Sequence, residues 1–199
     1  MPMREPVELA KSYRLLNHGP TVLVSSAHAG QRNVMAAAWS MPVDFSPPKV
    51  AVVIDKNTAT RALVEGSGSF ALNVPTRALA AATLAVGGIS ARALANGPDK
   101  FDTFGLTTFA ASRIDAPLLD GCAAWLECRV LVEPHIQQQY DLFIGEVIAA
   151  WADPRLFADG HWRDDTAAAD DRTLHYIAGG RFFSTGEPFD ATATPPRTI

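Results

Sequence analysis

Two short stretches of the chain hold side chains whose types and spacing suit binding chemistry. In Asp55-Lys56-Asn57-Thr58-Ala59-Thr60-Arg61, an apolar run ends and a helical pattern begins. Unpaired backbone N–H groups and the positive end of a helix macrodipole suit an anion such as a phosphate, and Thr60 and Arg61 add a hydroxyl and a fork of charged donors. The competing reading is ordinary capping by Asn57 or Thr58 with Arg61 in solvent. The second stretch, Asn33 to Ser40, reads N-V-M-A-A-A-W-S. Taken as a strand, it sets Asn33, Met35, Ala37 and Trp39 on one face and Val34, Ala36, Ala38 and Ser40 on the other. Alanine is a poor strand former because it covers little neighbouring surface, so three in a row are consistent with another body covering them: a ligand, a helix or a second subunit.

The rest of the composition narrows the partners. Seventeen basic against 21 acidic residues give a net charge of -4 with no basic stripe, which argues against nucleic acid and a membrane surface and for small-molecule or protein partners. The N-terminal stretch lacks the layout of a signal peptide and no apolar run approaches the ~18 residues of a spanning helix, so a cytoplasmic protein is expected. Cys122 and Cys128 have no partner spacing for zinc. They are expected on the same face of one strand as reduced core cysteines rather than a redox pair. Gly87-Gly88 invites a phosphate-loop reading, but no G-x-G-x-x-G or G-K-[ST] follows a strand there, and a loop between helices accounts for the pair.

The elements that must position these residues follow from punctuation and period. Glu8 to Leu16 suits a short helix, Thr21 to Ser26 a strand, and His28-Ala29-Gly30-Gln31 the turn of a hairpin whose return strand is Asn33 to Ser40. Ser46-Pro47-Pro48 precedes a strand from Lys49 to Ile54. Thr58 to Gly66 reads as a two-turn helix, and Ser69 to Val74 as a strand stopped by Pro75. Residues 76–97 read as a helix broken at Gly87-Gly88 and followed by a mobile segment. Cys122 to Val132 and Tyr140 to Trp151 read as long strands joined through Glu133-Pro134-His135, with Gly145 marking a bulge. Asp153 to Thr173 reads as a polar surface excursion, Leu174 to Phe183 as strands around Gly179-Gly180, and residues 189–199 as a loosely held tail. Many strands, short turns and few helices predict one domain: a mainly β, antiparallel barrel with helical insertions.

Taken together, G-P-T-V-L-V-S-S, N-V-M-A-A-A-W-S, S-P-P-K-V-A-V-V-I, T-A-T-R, G-S-F-A-L-N-V-P, D-K-F, G-E-V and L-H-Y-I-A-G-G-R-F resemble, in order, the flavin reductase-like family of the flavoredoxin type, over about residues 12–188. The resemblance implies an FMN-binding split β-barrel and a homodimer with FMN near the subunit interface. It also implies that Asn33, Ala37, Ala38, Trp39 and Ser40 face or flank the flavin, that Asp55, Asn57, Thr60 and Arg61 hold the ribityl phosphate end, and that Phe70 and Asn73 support the site. Lys100 of D-K-F would reach toward the flavin or its phosphate, with Arg92 a second candidate of that kind, and His175 would border the nicotinamide or substrate pocket. Relatives commonly carry a histidine before the strand leading to G-E-V. This chain has Gln137-Gln138-Gln139-Tyr140, which leaves Tyr140 as the replacement.

The activity implied is a flavin oxidoreductase taking hydride from NADH or NADPH as a transient donor and passing electrons to an acceptor. Because the flavin itself accepts hydride, no protein acid or base is required, and no catalytic side chain or metal ligand is expected. The alternatives are a reductase component serving a monooxygenase and a non-catalytic FMN-binding electron carrier.

Overall fold

The computed structural model describes residues 3–94 and 97–191. The Pro195-Pro196 end of the expected tail lies outside them, as do residues 95–96 of the segment expected to be mobile. The chain begins with a two-residue strand β1 (Glu5–Pro6) and a 3₁₀ turn, Leu9–Leu15, that buries Ser12 and Leu15. A hairpin follows, β2 (Val22–His28) and β3 (Gln31–Ala37), closed at Ala29-Gly30, both of which hold positive φ. Then come β4 (Ser40–Phe45), β5 (Pro48–Val53), α1 (Ala59–Ser67) and β6 (Ser69–Pro75). The Thr58 hydroxyl accepts from the Arg61 N–H at the start of α1, and Gly68 ends it in the left-handed conformation that costs glycine least. Helix α2 (Ala80–Gly88) is followed by a 3₁₀ turn at Ala91–Leu94 and the single turn α3 (Lys100–Thr103), capped by Asp99. The second half holds β7 (Thr108–Phe109), β8 (Leu118–Leu119), β9 (Cys122–Leu131), α4 (Pro134–Tyr140) and β10 (Leu142–Ala152). It closes with hairpins β11 (Phe157–Ala158)–β12 (His161–Trp162) and β13 (Leu174–Ala178)–β14 (Arg181–Ser184).

One antiparallel sheet carries the molecule, in the order β3-β2-β6-β9-β10-β5-β4, with β1 on β10. Its path ends on β3 and β4, which do not pair although they are consecutive in the chain. The sheet is therefore a barrel split along one seam, and Ala38-Trp39 is the covalent crossing. The Val53 N–H donates to the Trp39 carbonyl at 3.0 Å, fixing the crossing to the β5 side. Two apolar clusters pack on opposite faces. The barrel interior holds Val22, Val24, Val50, Val52, Phe70, Leu72, Leu126 and Phe143. The outer cluster, under α2, α3 and the β7–β8 hairpin, holds Leu23, Val34, Ala71, Val86, Phe101, Leu118 and Trp125.

Several local expectations change. The return strand stops at Ala37, so Trp39 does not continue the face of Asn33, Met35 and Ala37; it sits on the seam with 76% of its surface exposed. Gln137 to Tyr140 belongs to α4, with Pro134 in its first turn, where the missing N–H has no intrahelical acceptor to lose. Tyr140 is exposed there, edge-on to His135, and lines neither of the two cavities described below. Helix α1 runs past Gly66 to Ser67, while α2 ends at Gly88, so the helix breaks at the glycine pair as expected. Gly145 is no bulge: the register shift of β10 falls between Val147 and Ala149. A Cβ on Gly145 would lie 2.6 Å from Phe70 Cζ, so the glycine makes room for that ring. Cys122 and Cys128 are free and buried as expected, but on different faces. A register shift between Val74 and Pro75 in the β6–β9 pairing turns Cys122 toward the outer cluster while Cys128 stays inside. Residues 153–173 are also more than a surface excursion, since Leu156 and Phe157 are buried and Trp162 packs on the inner core.

Candidate functional site

A cavity of about 500 Å³ opens at the seam. Its floor is the end of β3 and the crossing, Ala36 to Trp39, and its near side is the end of β5 with Val53 and Asp55. Helix α2 forms one wall through Thr83, Leu84, Gly87 and Gly88; Tyr176 and Phe182 of the β13–β14 hairpin form the other. Close packing brings these walls together. A Cβ on Gly87 would stand 3.3 Å from the Ala36 methyl, and one on Gly180 3.3 Å from Leu84 Cδ2, so small residues let α2 lie directly on β3 and under the hairpin. Thr21 anchors that hairpin: its N–H donates to Leu174 O at 2.7 Å, and its hydroxyl accepts from the Tyr176 N–H at 2.8 Å. The result is a largely apolar cavity with aromatic rings in its lining, of a size suited to a ring system.

Its polar features are few. The Asp55 carboxylate accepts from the Asn57 N–H at 2.7 Å, and the Asp55 carbonyl from the Thr58 hydroxyl at 2.8 Å, which shapes the loop entering α1. The N–H groups of Ala59 and Thr60 lie in the first turn of α1 and have no intrahelical acceptor. Thr83, only 1% exposed, has a hydroxyl with no hydrogen-bond partner. A buried polar atom left unpaired in a cavity wall is what a site completed by a ligand presents.

The structure separates the expected site residues. Ala37, Ala38, Trp39 and Asp55 line the seam cavity, with Ser40 just past it, half-buried with an unpartnered hydroxyl. Asn33 and Arg92 line a second, more polar cavity of about 920 Å³ near the β2–β3 turn. Asn33 is buried and its Nδ2 donates to the hydroxyl of fully buried Thr60 at 2.9 Å, tying β3 to α1. Asn57 is exposed on the loop.

The remaining expected residues are turned into the protein. Arg61 is 5% exposed, and four of its five N–H donors have acceptors in the chain. Nε donates to Glu65 at 2.8 Å, Nη2 to Gln137 O at 2.8 Å, and Nη1 to Ile54 O at 3.3 Å and to the Asp141 carboxylate. The guanidinium also lies 5.1 Å from the centre of the Phe143 ring. Phe70 is a barrel-interior residue against Gly145. Asn73 is fully buried; its Nδ2 donates to Leu23 O at 2.8 Å and Ser25 Oγ at 3.1 Å, and its Oδ1 accepts from the Leu119 N–H at 2.9 Å, so it stitches β6 to β2 and β8. Lys100 is buried and donates to Val86 O at 2.8 Å, behind the Gly87-Gly88 wall rather than in the cavity. Burial lowers its pKa. His175 stands edge-on to His18 with ring centres 5.5 Å apart, while its neighbour Tyr176 reaches the cavity. Burial, with the His175 imidazole beside it, pushes His18 down to about 4.

Sequence reasoning did not anticipate Thr21, Val53, Thr83, Leu84, Tyr176 or Phe182 in the wall. Thr21, Val53, Tyr176 and Phe182 fall in stretches that carry the family resemblance, and Gly87-Gly88 stood out as a pair in an alanine-rich helix, but none of them was singled out for the cavity.

Comparisons with known proteins agree with this architecture. Residues 14–179 match the family described as Flavin reductase like domain. A crystal structure from Shewanella baltica, described as an FMN-binding domain of a flavin reductases-like enzyme, is 53% identical, with 96% of this chain and 98% of that one covered and a TM-score of 0.92. The YddH protein of Escherichia coli K12 is 44% identical over 187 residues, 92% of this chain and 95% of its own. The flavoredoxin of Desulfovibrio vulgaris (Miyazaki F), 24% identical over 87% of this chain and 90% of its own with a TM-score of 0.73, shares the fold. A family match across most of the length, on an open antiparallel barrel with its cavity at the seam, establishes that this chain belongs to the flavin reductase-like family.

Proposed function

We propose that the seam cavity binds FMN and that the protein is an NAD(P)H-dependent flavin oxidoreductase. The observation that carries this is the largely apolar cavity over Ala36, Ala37 and Ala38, lined by Thr83 with its unpartnered hydroxyl, in a chain 53% identical to a protein described as FMN-binding. When bound, FMN supplies a two-electron acceptor for hydride.

The chain's own residues bind, orient and shield. Methyl side chains on the floor leave room for a ring against the backbone of β3, where larger residues would fill the slot. Trp39, Tyr176 and Phe182 give apolar surface at the rim and exclude water from the reacting face. The first-turn N–H groups of α1 suit the phosphate. Asp55 is a poor neighbour for that phosphate and a good acceptor for ribityl hydroxyls, so its role is the sugar chain rather than the anion. Thr60 and Arg61 act through the fold, by fixing β3 to α1 and α1 to α4.

The partner we propose is a second copy of the chain. Edge strand β4 and the crossing expose Trp39, Met41, Val43 and Phe45 at alternate positions, at 76, 58, 48 and 64%. Natural edge strands are usually blunted by charge, and an apolar row beside the cavity mouth suits burial against a like surface.

Anaerobic mixing of the FMN-loaded protein with NADH or with NADPH tests the activity. Bleaching of the visible flavin band by either nucleotide is expected. A flavin that stays oxidised with both would leave the electron-carrier reading in its place.

A further inference from the structure

We propose that Thr83 is a ligand-binding residue that hydrogen-bonds the polar edge of the bound flavin ring, its carbonyl oxygens and ring N–H, and so selects for a heteroaromatic carrying that edge. The assignment rests on the FMN reading of the cavity. A helical threonine ordinarily satisfies its hydroxyl on a carbonyl of the preceding turn. In α2 that bond is not made: Thr83 lines the cavity, and its Oγ1 is buried beside it without a partner. Thr83 is also the hydroxyl-bearing member of an α2 wall otherwise made of Leu84, Gly87 and Gly88. An unpaired buried hydroxyl destabilises the protein that carries it, and valine would fill the same space without that penalty. A hydroxyl kept there makes sense if a ligand completes it. A ligand group that reaches this hydroxyl must be able to hydrogen-bond, and the apolar alanine floor beside it suits the face of a ring.

The test pairs apo-protein stability with flavin affinity in Thr83→Val and Thr83→Ser. Thr83→Val is expected to unfold at the same or a higher temperature than wild type without flavin, and to bind FMN about three- to tenfold more weakly, as measured by quenching of flavin fluorescence. Thr83→Ser, which keeps the hydroxyl, is expected to stay within about twofold of wild-type affinity. The visible band of FMN bound to Thr83→Val should move toward its position in less polar surroundings. Wild-type protein that fails to bind FMN overturns the reading of the cavity, and this assignment with it. Wild-type protein that binds FMN while Thr83→Val binds it equally well overturns the assignment alone. A destabilised apo Thr83→Val does the same, because the hydroxyl would then have a partner inside the chain.

Discussion

Arg61 gives the sharpest prediction, because its position at a strand-to-helix turn suggests phosphate binding while its contacts are internal. In Arg61→Ala the Asp141 carboxylate, whose side chain is 16% exposed, loses its cation, and the carbonyls of Ile54 and Gln137 lose their donor. Breaking a buried ion pair by removing one partner costs about 3–5 kcal/mol. The Glu65 contact adds little, since that side chain is 46% exposed and screened. For a chain of this length that loss lowers the unfolding midpoint by about 6–20 °C. The assay is thermal and urea unfolding of flavin-free protein, beside FMN titration under conditions where the variant is folded. Arg61→Ala/Asp141→Ala should recover part of the loss, because no carboxylate is left unpaired. Apo Arg61→Ala within about 1 kcal/mol of wild type, with FMN affinity reduced more than tenfold, would refute the structural role and restore the phosphate-binding one.

Three further outcomes follow from the packing and charges. Gly145→Ala should lose about 1–3 kcal/mol in urea unfolding, because its methyl would meet the Phe70 ring inside the barrel, with little change in FMN affinity. His18 favours its neutral form when folded, so the unfolded chain alone takes up a proton between the ordinary value of 6.5 and about 4. Stability should be full above about pH 6.5 and fall by about 3 kcal/mol on acidification to about pH 4, and the slope should flatten in His18→Phe in pH-dependent unfolding. Met41→Glu/Val43→Glu should shift the sedimentation mass from dimer to monomer while the flavin-free protomer keeps its far-UV dichroism.

The strands were legible where glycine or proline opened a largely apolar run. Thr21 to Ser26, Lys49 to Ile54 and Ser69 to Val74 each match an observed strand to within two residues. Helix α4 was not legible, because seven residues dominated by Gln and His carry no apolar period, and its hold on the fold comes from Arg61, 76 positions away from Gln137. The same long-range contact hid the inward turn of Arg61, since nothing within α1 announces Asp141. The cysteine faces went astray through one register shift, which strict alternation cannot foresee. Within the site, the alanine run was legible from residue type as a covered surface, with the family resemblance needed to say what covers it. The α2 wall was not, because the Gly87–Ala36 approach exists only once two distant elements are packed.

The most direct test of the seam cavity as a flavin site is FMN titration of the flavin-free protein and its Ala38→Leu variant, followed by flavin fluorescence and the visible band. Ala38 is exposed on the cavity floor, so leucine there fills the slot without disturbing the core. Wild-type protein should saturate with one FMN per chain, and Ala38→Leu should unfold at the same temperature when flavin-free yet bind FMN at least about tenfold more weakly. Absence of saturable FMN binding by wild type, or equal binding by Ala38→Leu, would contradict the account.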